Sequence, residues 1–403
     1  MRGVKLCGFL IVVTALVGSV GPGWAQNAGK LDIGVATPLT GPAANVGGNF
    51  RNAVVLAAEN QNAQGGVTIG GQKYLINVIV RDSKFDVTVA KTVAEELVFD
   101  KKVKAIFGAS PVESASIQQI TEPNKVLLFG MIPMPGLCAP DKPYSFWLSN
   151  HPLKTYATGA LYIKKNYPKA KKVVTVYADI PDQKLWEATA KDVCSRFGFE
   201  WLGMEKYAAG TSDFSPVIQR ILAKKPDMID TAGSGGAMGA ILPLLIKQIR
   251  QAGFDGVIWM PSTPPPGVME EAVPKQYLNR IVTNDWDPTH SVINKTYKDI
   301  YNQYITKFKT KPIDAFSNDY NGTKAFFEFL DGQKSMDPAA WVQGFEKYRW
   351  NGIYGHEEHW VGKPFFGTNR FLIHSLWVSE WKDGKVADTQ AIDNFPYEWF
   401  EGK

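Results

Sequence analysis

Leu31-Asp-Ile-Gly-Val-Ala-Thr37 is a short β-prone run, and the pattern it opens decides the fold. A loop, Pro38 to Gly48, leads into a helical stretch from Asn52 to Gln61, which Gly65-Gly66 ends. Tyr74 to Val80 is β-rich again and closes on Arg81-Asp82. Val89, Val93 and Leu97 then recur at helical spacing, predicting a helix over Val87 to Phe99. Val103 to Phe107 reads as a strand, Glu113 to Ile120 as a helix, Val126 to Phe129 as a strand. A βαβα series of this kind predicts a parallel sheet with helices on both faces.

The series restarts further along. Helices are expected at Pro152 to Asn166, Leu185 to Phe197, Asp213 to Lys224 and Ala237 to Gln251, with Asp213 placed to cap the third. Between them come strands at Lys172 to Tyr177, Glu200 to Lys206, Met228 to Thr231 and Val257 to Met260. Pro261-Ser-Thr-Pro-Pro-Pro266 is the strongest breaker in the chain and reads as a crossing between two units. Residues 267–350 give one strand, Arg280 to Thr283, and helices at Ile293 to Phe308, Ala315 to Leu330 and Pro338 to Tyr348. This is the material expected to complete the first sheet and cover it. Residues 352–403 turn β-rich, with Arg370 to Glu380 and a hairpin turn at Lys382-Asp-Gly-Lys385.

The chain opens on an address label. Arg2 and Lys5 precede an apolar run, Leu6 to Val20, and Gly23 and Ala25 supply the small-x-small pattern of a cleavage site. The run is shorter than the ~20 residues that span a bilayer, so cleavage after Ala25 and export are expected. Cys7 lies in the wrong context for lipid modification. Loss of Arg2 and Lys5 takes the net charge from +5 to +3, and the remaining basic residues are scattered, which excludes a nucleic-acid stripe. Residues 26–403 are too long for one ordinary core and suggest two domains. Cys138 and Cys194 remain. They are placed in a loop of one unit and on a helix of the other, so two unpaired thiols are expected. The chain's 12 Trp, 15 Tyr and 22 Phe are enough to pack the cores and still line a ligand cleft.

Several segments, in order, resemble one known family. Pro38-Leu-Thr-Gly-Pro-Ala43, Asn62-Ala-Gln-Gly-Gly-Val67 and Arg81-Asp82 look like the first β-α-β of the leucine/isoleucine/valine-binding proteins. These are type I periplasmic solute-binding proteins of ABC importers. Thr211-Ser-Asp-Phe-Ser215, Lys225-Pro-Asp227 and Gln251-Ala-Gly253 are similar to the second lobe, and Asn318-Asp-Tyr320 and Asn351-Gly-Ile-Tyr-Gly355 to the late helix and final turn. The resemblance runs from about residue 30 to 385 and implies an α/β fold of two doubly wound parallel-sheet lobes joined by three hinge crossings. It divides the chain into residues 1–25 as signal peptide, 26–148 with 264–352 as the first lobe, and 149–263 with 353–403 as the second. It implies a non-catalytic, monomeric periplasmic binder without metal or cofactor. A small-molecule ligand is held in the cleft, and the closed form is presented to an ABC permease and its ATPase subunits.

Carried over position by position, the resemblance gives candidate contacts. The first loop offers Thr40 and, where the family often has an aromatic, Val46. In Gly108-Ala-Ser-Pro-Val-Glu-Ser114, Ser110 is nearest to the family's carboxylate-binding serine, with Pro111 beside it. Met134 and Pro135 stand where the family has an Ala-Thr or Ala-Ser pair, leaving an apolar wall. The family's Tyr-Gly corresponds to about Gln183-Lys184, with Trp186 close behind. Ser234 lies in the glycine loop Ala232-Gly-Ser-Gly-Gly236. Ser262-Thr263 replaces the acidic partner of an ammonium, and Trp286 follows the strand after the crossing. A buried ammonium without a counter-charge is costly. The expected ligand is therefore not a standard zwitterionic amino acid but an aromatic or apolar small molecule, a carboxylate among the options.

Rival readings are a ligand sensor of the same fold and a secreted α/β-hydrolase using Ser234. The hydrolase would need a histidine positioned by an acid and one large sheet, where this chain restarts instead. His356-Glu-Glu-His359 has i, i+3 spacing rather than the i, i+4 of a zinc helix, and a surface loop is expected there.

Overall fold

A computed structural model describes residues 28–401 apart from residues 42, 109–110, 132–135, 149–151, 181–182, 209, 233–240, 262–266, 285–286, 314, 374–376, 393–394 and 397. The proposed signal peptide therefore lies outside the described residues.

The chain begins β1 (Gly29–Thr37), α1 (Ala44–Ala63), β2 (Val67–Ile69), β3 (Gln72–Asp82), α2 (Val87–Glu95), β4 (Ala105–Gly108), α3 (Pro111–Thr121), β5 (Leu127–Gly130) and β6 (Ser145–Trp147). It continues with α4 (Pro152–Asn166), β7 (Lys172–Ala178), α5 (Gln183–Phe197), β8 (Glu200–Tyr207), α6 (Ser215–Ala223), β9 (Met228–Asp230), α7 (Leu242–Gln251), β10 (Val257–Met260), α8 (Val268–Ala272) and β11 (Ile281–Thr283). The last part is α9 (Lys295–Phe308), α10 (Ala315–Leu330), α11 (Pro338–Glu346), β12 (Arg349–Asn351), β13 (Glu357–His359), α12 (Lys363–Phe366), β14 (Trp377–Lys382), β15 (Lys385–Ala391) and α13 (Glu398–Glu401).

These strands form two separate large sheets. The first runs β2-β3-β1-β4-β5-β6 and the second β15-β14-β11-β10-β9-β7-β8. Within the first, only β2 is antiparallel to its neighbour. Within the second, β7 to β11 are parallel and the hairpin β14–β15 adds antiparallel to β11. Each parallel sheet is covered on both faces, as buried parallel strands require. On one face of the first, Phe107 stacks on Phe129 at 4.6 Å between ring centroids, and Phe326 of α10 lies 4.7 Å from Phe129. Residues of α9 and α11 join the same core. On the other face, Leu97, Ile106, Ile117 and Leu128 pack together. The second sheet is sandwiched likewise, with α4 and α5 on one face and α6 and α7 on the other.

Two boundaries differ from the sequence expectation. The strand around Arg280–Thr283 does not complete the first sheet. It is β11, paired in register with Ile258–Met260 of β10. Sheet membership is set by non-local register, which a three-residue apolar run does not encode. Because β10 and β11 are neighbours in the second sheet, the chain changes sheet after β11 rather than between them; the expected crossing at 262–266 lies outside the described residues. At the other end, Ile353, Tyr354, Trp360 and Leu372 belong to the core of the first lobe. Phe371 bridges to Trp147 beside β6. The chain leaves the first sheet after β6, leaves the second after β11, and returns to the second at β14. The first and third run side by side: Trp147 N–H donates to Arg370 O (2.9 Å) and Leu372 N–H to Trp147 O (3.1 Å). Asn284 anchors the second, accepting from Thr158 of α4 (3.1 Å) and donating to Pro261 O (2.9 Å).

Candidate functional site

In a doubly wound sheet, ligands bind beyond the carboxyl ends of the strands where the strand order reverses direction. The first sheet reverses between β1 and β4, and the second between β7 and β9. The segments that leave these four strands start at residues 38, 109, 179 and 231. Thr40, Pro111, Gln183 and Trp186 lie on these segments or on the helices that follow them. Because Tyr156 bonds Asp230 at the end of β9 and Thr158 bonds Asn284 just beyond β11, the first turns of α4 also belong to this end of the second lobe.

On the first lobe, Asp82 at the end of β3 ties two loops together. Leu39 N–H donates to its Oδ1 (2.8 Å), the Thr40 hydroxyl to its Oδ2 (2.7 Å), and Lys84 N–H to its Oδ1 (2.9 Å). Burial acts to raise the Asp82 pKa, but these hydrogen bonds outweigh it and hold the carboxyl below its usual range. The turn they fix is strained: Lys84 and Phe85 both have φ of 59°, the left-handed region. A side chain there costs ~1–2 kcal/mol per residue. The entry of α1 is equally constrained. A Cβ on Gly47 would stand 1.8 Å from Pro38 O, so only glycine lets the helix approach this loop.

On the second lobe the centre is Asp230, fully buried at the end of β9. Its Oδ2 accepts from Tyr156 of α4 (2.8 Å) and from Thr175 of β7 (2.8 Å), and its Oδ1 accepts from Ala232 N–H (2.7 Å). Trp201 Nε1–H donates to the Thr175 hydroxyl in turn (3.0 Å). Burial raises the Asp230 pKa to about 6 against these stabilising bonds. Ala232 has φ of 49°, so the carboxylate fixes an unusual exit from the strand. Above this network, Trp186 is half-buried, its ring 6.2 Å from both Tyr156 and Tyr177. Tyr156 and Tyr177 are themselves fully buried, so of the three rings only Trp186 keeps exposed area at the end of β7.

The predicted residues fare unequally. Thr40 is exposed on its loop, but its hydroxyl donates to Asp82. Val46 is not in a loop. It sits on α1, half-buried against the core of the first lobe, because the helix starts at Ala44 rather than at Asn52. Pro111 is the first residue of α3. Gln183 opens α5 and Trp186 lies one turn on. Ser110, Met134, Pro135, Ser234, Thr263 and Trp286 lie outside the described residues. Asp230, Tyr156, Tyr177 and Asn284 were not among the residues expected from sequence. The signal for Asp230 was present: a lone acid closing the apolar strand Met228-Ile-Asp230. Glu113, Ser114 and Lys154, in the first turns of α3 and α4, are also buried.

Other candidates resolve into structure. Asn318 accepts from the Tyr354 hydroxyl (2.7 Å) and Tyr320 OH accepts from Asn60 (2.8 Å), so the late-helix motif is a packing joint. His359 lies on β13, paired with β12, and His356 just precedes it, so this segment is no zinc helix. Among the described residues no group of three or more His, Cys, Asp or Glu could hold a metal ion. Cys138 and Cys194 are both free and buried, in different lobes. Among the described residues, no helix is long and apolar enough to cross a membrane.

Two separate α/β lobes with strand ends and crossings arranged in this way define a two-lobed binding-protein fold. The sequence matches the periplasmic binding protein family over residues 30–385, and the chain belongs to that family, in its type I, leucine/isoleucine/valine-binding form. Solved structures share the fold. The branched-chain amino acid transporter substrate-binding protein LivJ from Streptococcus pneumoniae, in complex with isoleucine, is 18% identical with a TM-score of 0.70, covering 90% of this chain and 99% of its own. An amino acid ABC transporter substrate-binding protein from Pseudomonas fluorescens is 15% identical with a TM-score of 0.74, covering 93% and 99%. A solute-binding protein of an ABC transporter from Rhodopseudomonas palustris, in complex with 3,4-dihydroxybenzoic acid, is 21% identical with a TM-score of 0.69, covering 92% and 99%. The family consists of substrate-binding proteins rather than enzymes.

Proposed function

We propose that this chain is the exported solute-binding subunit of an ABC importer and that its solute is an aromatic or similarly apolar small molecule, an aromatic carboxylate first among them. The observation that carries this is the half-buried Trp186 indole set beside Tyr156 and Tyr177 at the end of β7. An aromatic face at a strand-end crevice favours a flat apolar ligand over a small zwitterion. Asp230, the buried carboxylate beneath it, already accepts three hydrogen bonds, so it is a poor counter-ion for an ammonium group. The Rhodopseudomonas palustris protein of the same fold holds 3,4-dihydroxybenzoic acid, which makes hydroxylated benzoates the first ligands to try. Affinity would come from closing the lobes over the ring, with a few polar groups fixing its orientation.

A thermal-shift screen of the purified chain against aromatic acids, amino acids, amides and short aliphatic acids tests the reading, because a ligand of the folded state raises the melting temperature. Aromatic acids are expected to shift it, and Trp186→Ala to weaken their binding about tenfold or more. Tight calorimetric binding of leucine or valine, with no response to aromatic acids, would refute it.

A further inference from the structure

The end of the chain touches both lobes at a place where no strand connection runs. After β15 the chain is fixed to the second lobe, because Ile392 and Phe395 are buried in the core that α4 and α5 form on their sheet. Trp399 of α13 extends this attachment. Its ring meets Phe197 at the end of α5 edge to face, 5.5 Å between centroids, and the Arg196 guanidinium lies 4.6 Å over it. α13 packs in turn against α12.

α12 is held by the other lobe. It lies in a hairpin closed by the bridge between Val361 and Phe371. The base of this hairpin is at the boundary, where Val361 reaches the second-lobe core. Its body is fixed to the first lobe. The Thr368 hydroxyl (3.1 Å) and Asn369 N–H (3.3 Å) donate to Glu346 Oε1 at the end of α11. Arg370, buried, pairs with Glu346 Oε2 (3.2 Å) and donates to Ala139 O and Lys142 O (3.2 Å each) in the segment before β6. Phe366 and Phe371 pack with Cys138 and Trp147. A buried guanidinium with three acceptors is costly to displace, so α12 moves with the first lobe.

We propose that α13 is an interlobe clasp, running from α5 through Trp399 to α12, which hinge rotation must slide or release. A contact that joins two hinged bodies favours the states that keep both within reach and penalises those that part them. The clasp therefore limits how far the ligand-free lobes open, and it does so whatever solute the cleft receives.

The test is the distance between spin labels at Lys91→Cys on α2 and Gln219→Cys on α6, one exposed position on each lobe, measured by double electron–electron resonance in the ligand-free full chain. Cys138 and Cys194 are buried and stay unlabelled. With Trp399 in place one narrow distribution is expected. Trp399→Ala removes the aromatic and cation–π contacts and should raise the population at longer distances about 2- to 10-fold. A chain ending at Phe395, which keeps the buried Ile392 and Phe395 but lacks α13, should do so at least as strongly. Trp399→Phe keeps a ring against Phe197 and should stay close to the parent distribution. Melting curves identify the folded variants, and the point substitutions carry the test should the shortened chain fail to fold. Distributions unchanged in folded Trp399→Ala, or shifted to shorter distances, overturn the clasp.

Discussion

Replacing Asp230 with asparagine isolates the group at the heart of the second lobe. The carboxyl is fully buried and titrates at about 6 when folded, against an ordinary 3.8. Desolvation is the main cause, opposed by the bonds from Tyr156, Ala232 and Thr175. Between about pH 4 and pH 6 the folded protein keeps a proton that the unfolded chain has lost, so stability falls as pH rises through that window. The shift of about two units corresponds to ~3 kcal/mol in all, of which ~2 kcal/mol falls between pH 4.5 and 7.5. Asparagine keeps an acceptor for Ala232 N–H, and the rotatable hydroxyls of Tyr156 and Thr175 can accept from its amide. The variant therefore loses the titration while remaining hydrogen-bonded. Urea unfolding of both proteins at pH 4.5 and 7.5 reads the effect. The stability of Asp230→Asn relative to wild type should rise by ~2 kcal/mol from the lower to the higher pH. A relative stability equal at both pH values, within the ~10% error of linear extrapolation, would refute the reasoning.

Asp82→Ala removes the acceptor of three donors and should lower stability by about 1–3 kcal/mol at neutral pH. Because the folded Asp82 carboxyl sits below its usual range, wild type loses this advantage as pH falls through the carboxylate range, so the gap in urea midpoint should narrow on acidification. Gly159→Ala would set a Cβ 2.3 Å from the Trp259 indole nitrogen between α4 and β10, and calorimetric melting should show a loss of about 1–3 kcal/mol from overpacking. Burial pushes the Cys138 thiol up to about 12 and the Cys194 thiol higher still, so an aromatic disulfide reagent should label neither in the native protein and both in guanidinium.

Much of the fold was legible because doubly wound lobes announce themselves by alternation. The bounds of α4, β10 and α10 come directly from periodicity and breakers, and the Asp-Gly turn fixes the β14–β15 hairpin. The elements that escaped were short or non-local. Val67–Ile69 and Ser145–Trp147 are three-residue strands whose identity lies in their partners, Gln72–Tyr74 and Leu128–Gly130. Ile281–Thr283 looks the same in either sheet, and only its register with β10 decides. The early start of α1 hides behind Gly47 and Gly48, poor helix formers, the first of them required by close approach to Pro38. At the site, loop positions such as Thr40 and Gln183 could be placed from the βα pattern. Their bonding could not, because Asp82 and Asp230 act across strands far apart in sequence. Trp186, expected in the cleft, packs its ring on two tyrosines and stays partly open.

Capture of a small molecule between two hinged bodies is the central claim, and small-angle X-ray scattering with and without the acid that gives the largest thermal shift tests it most directly. The radius of gyration should fall on saturation, as the lobes rotate together about the crossings at Trp147, Asn284 and Leu372. Saturable binding with an unchanged radius of gyration would contradict it.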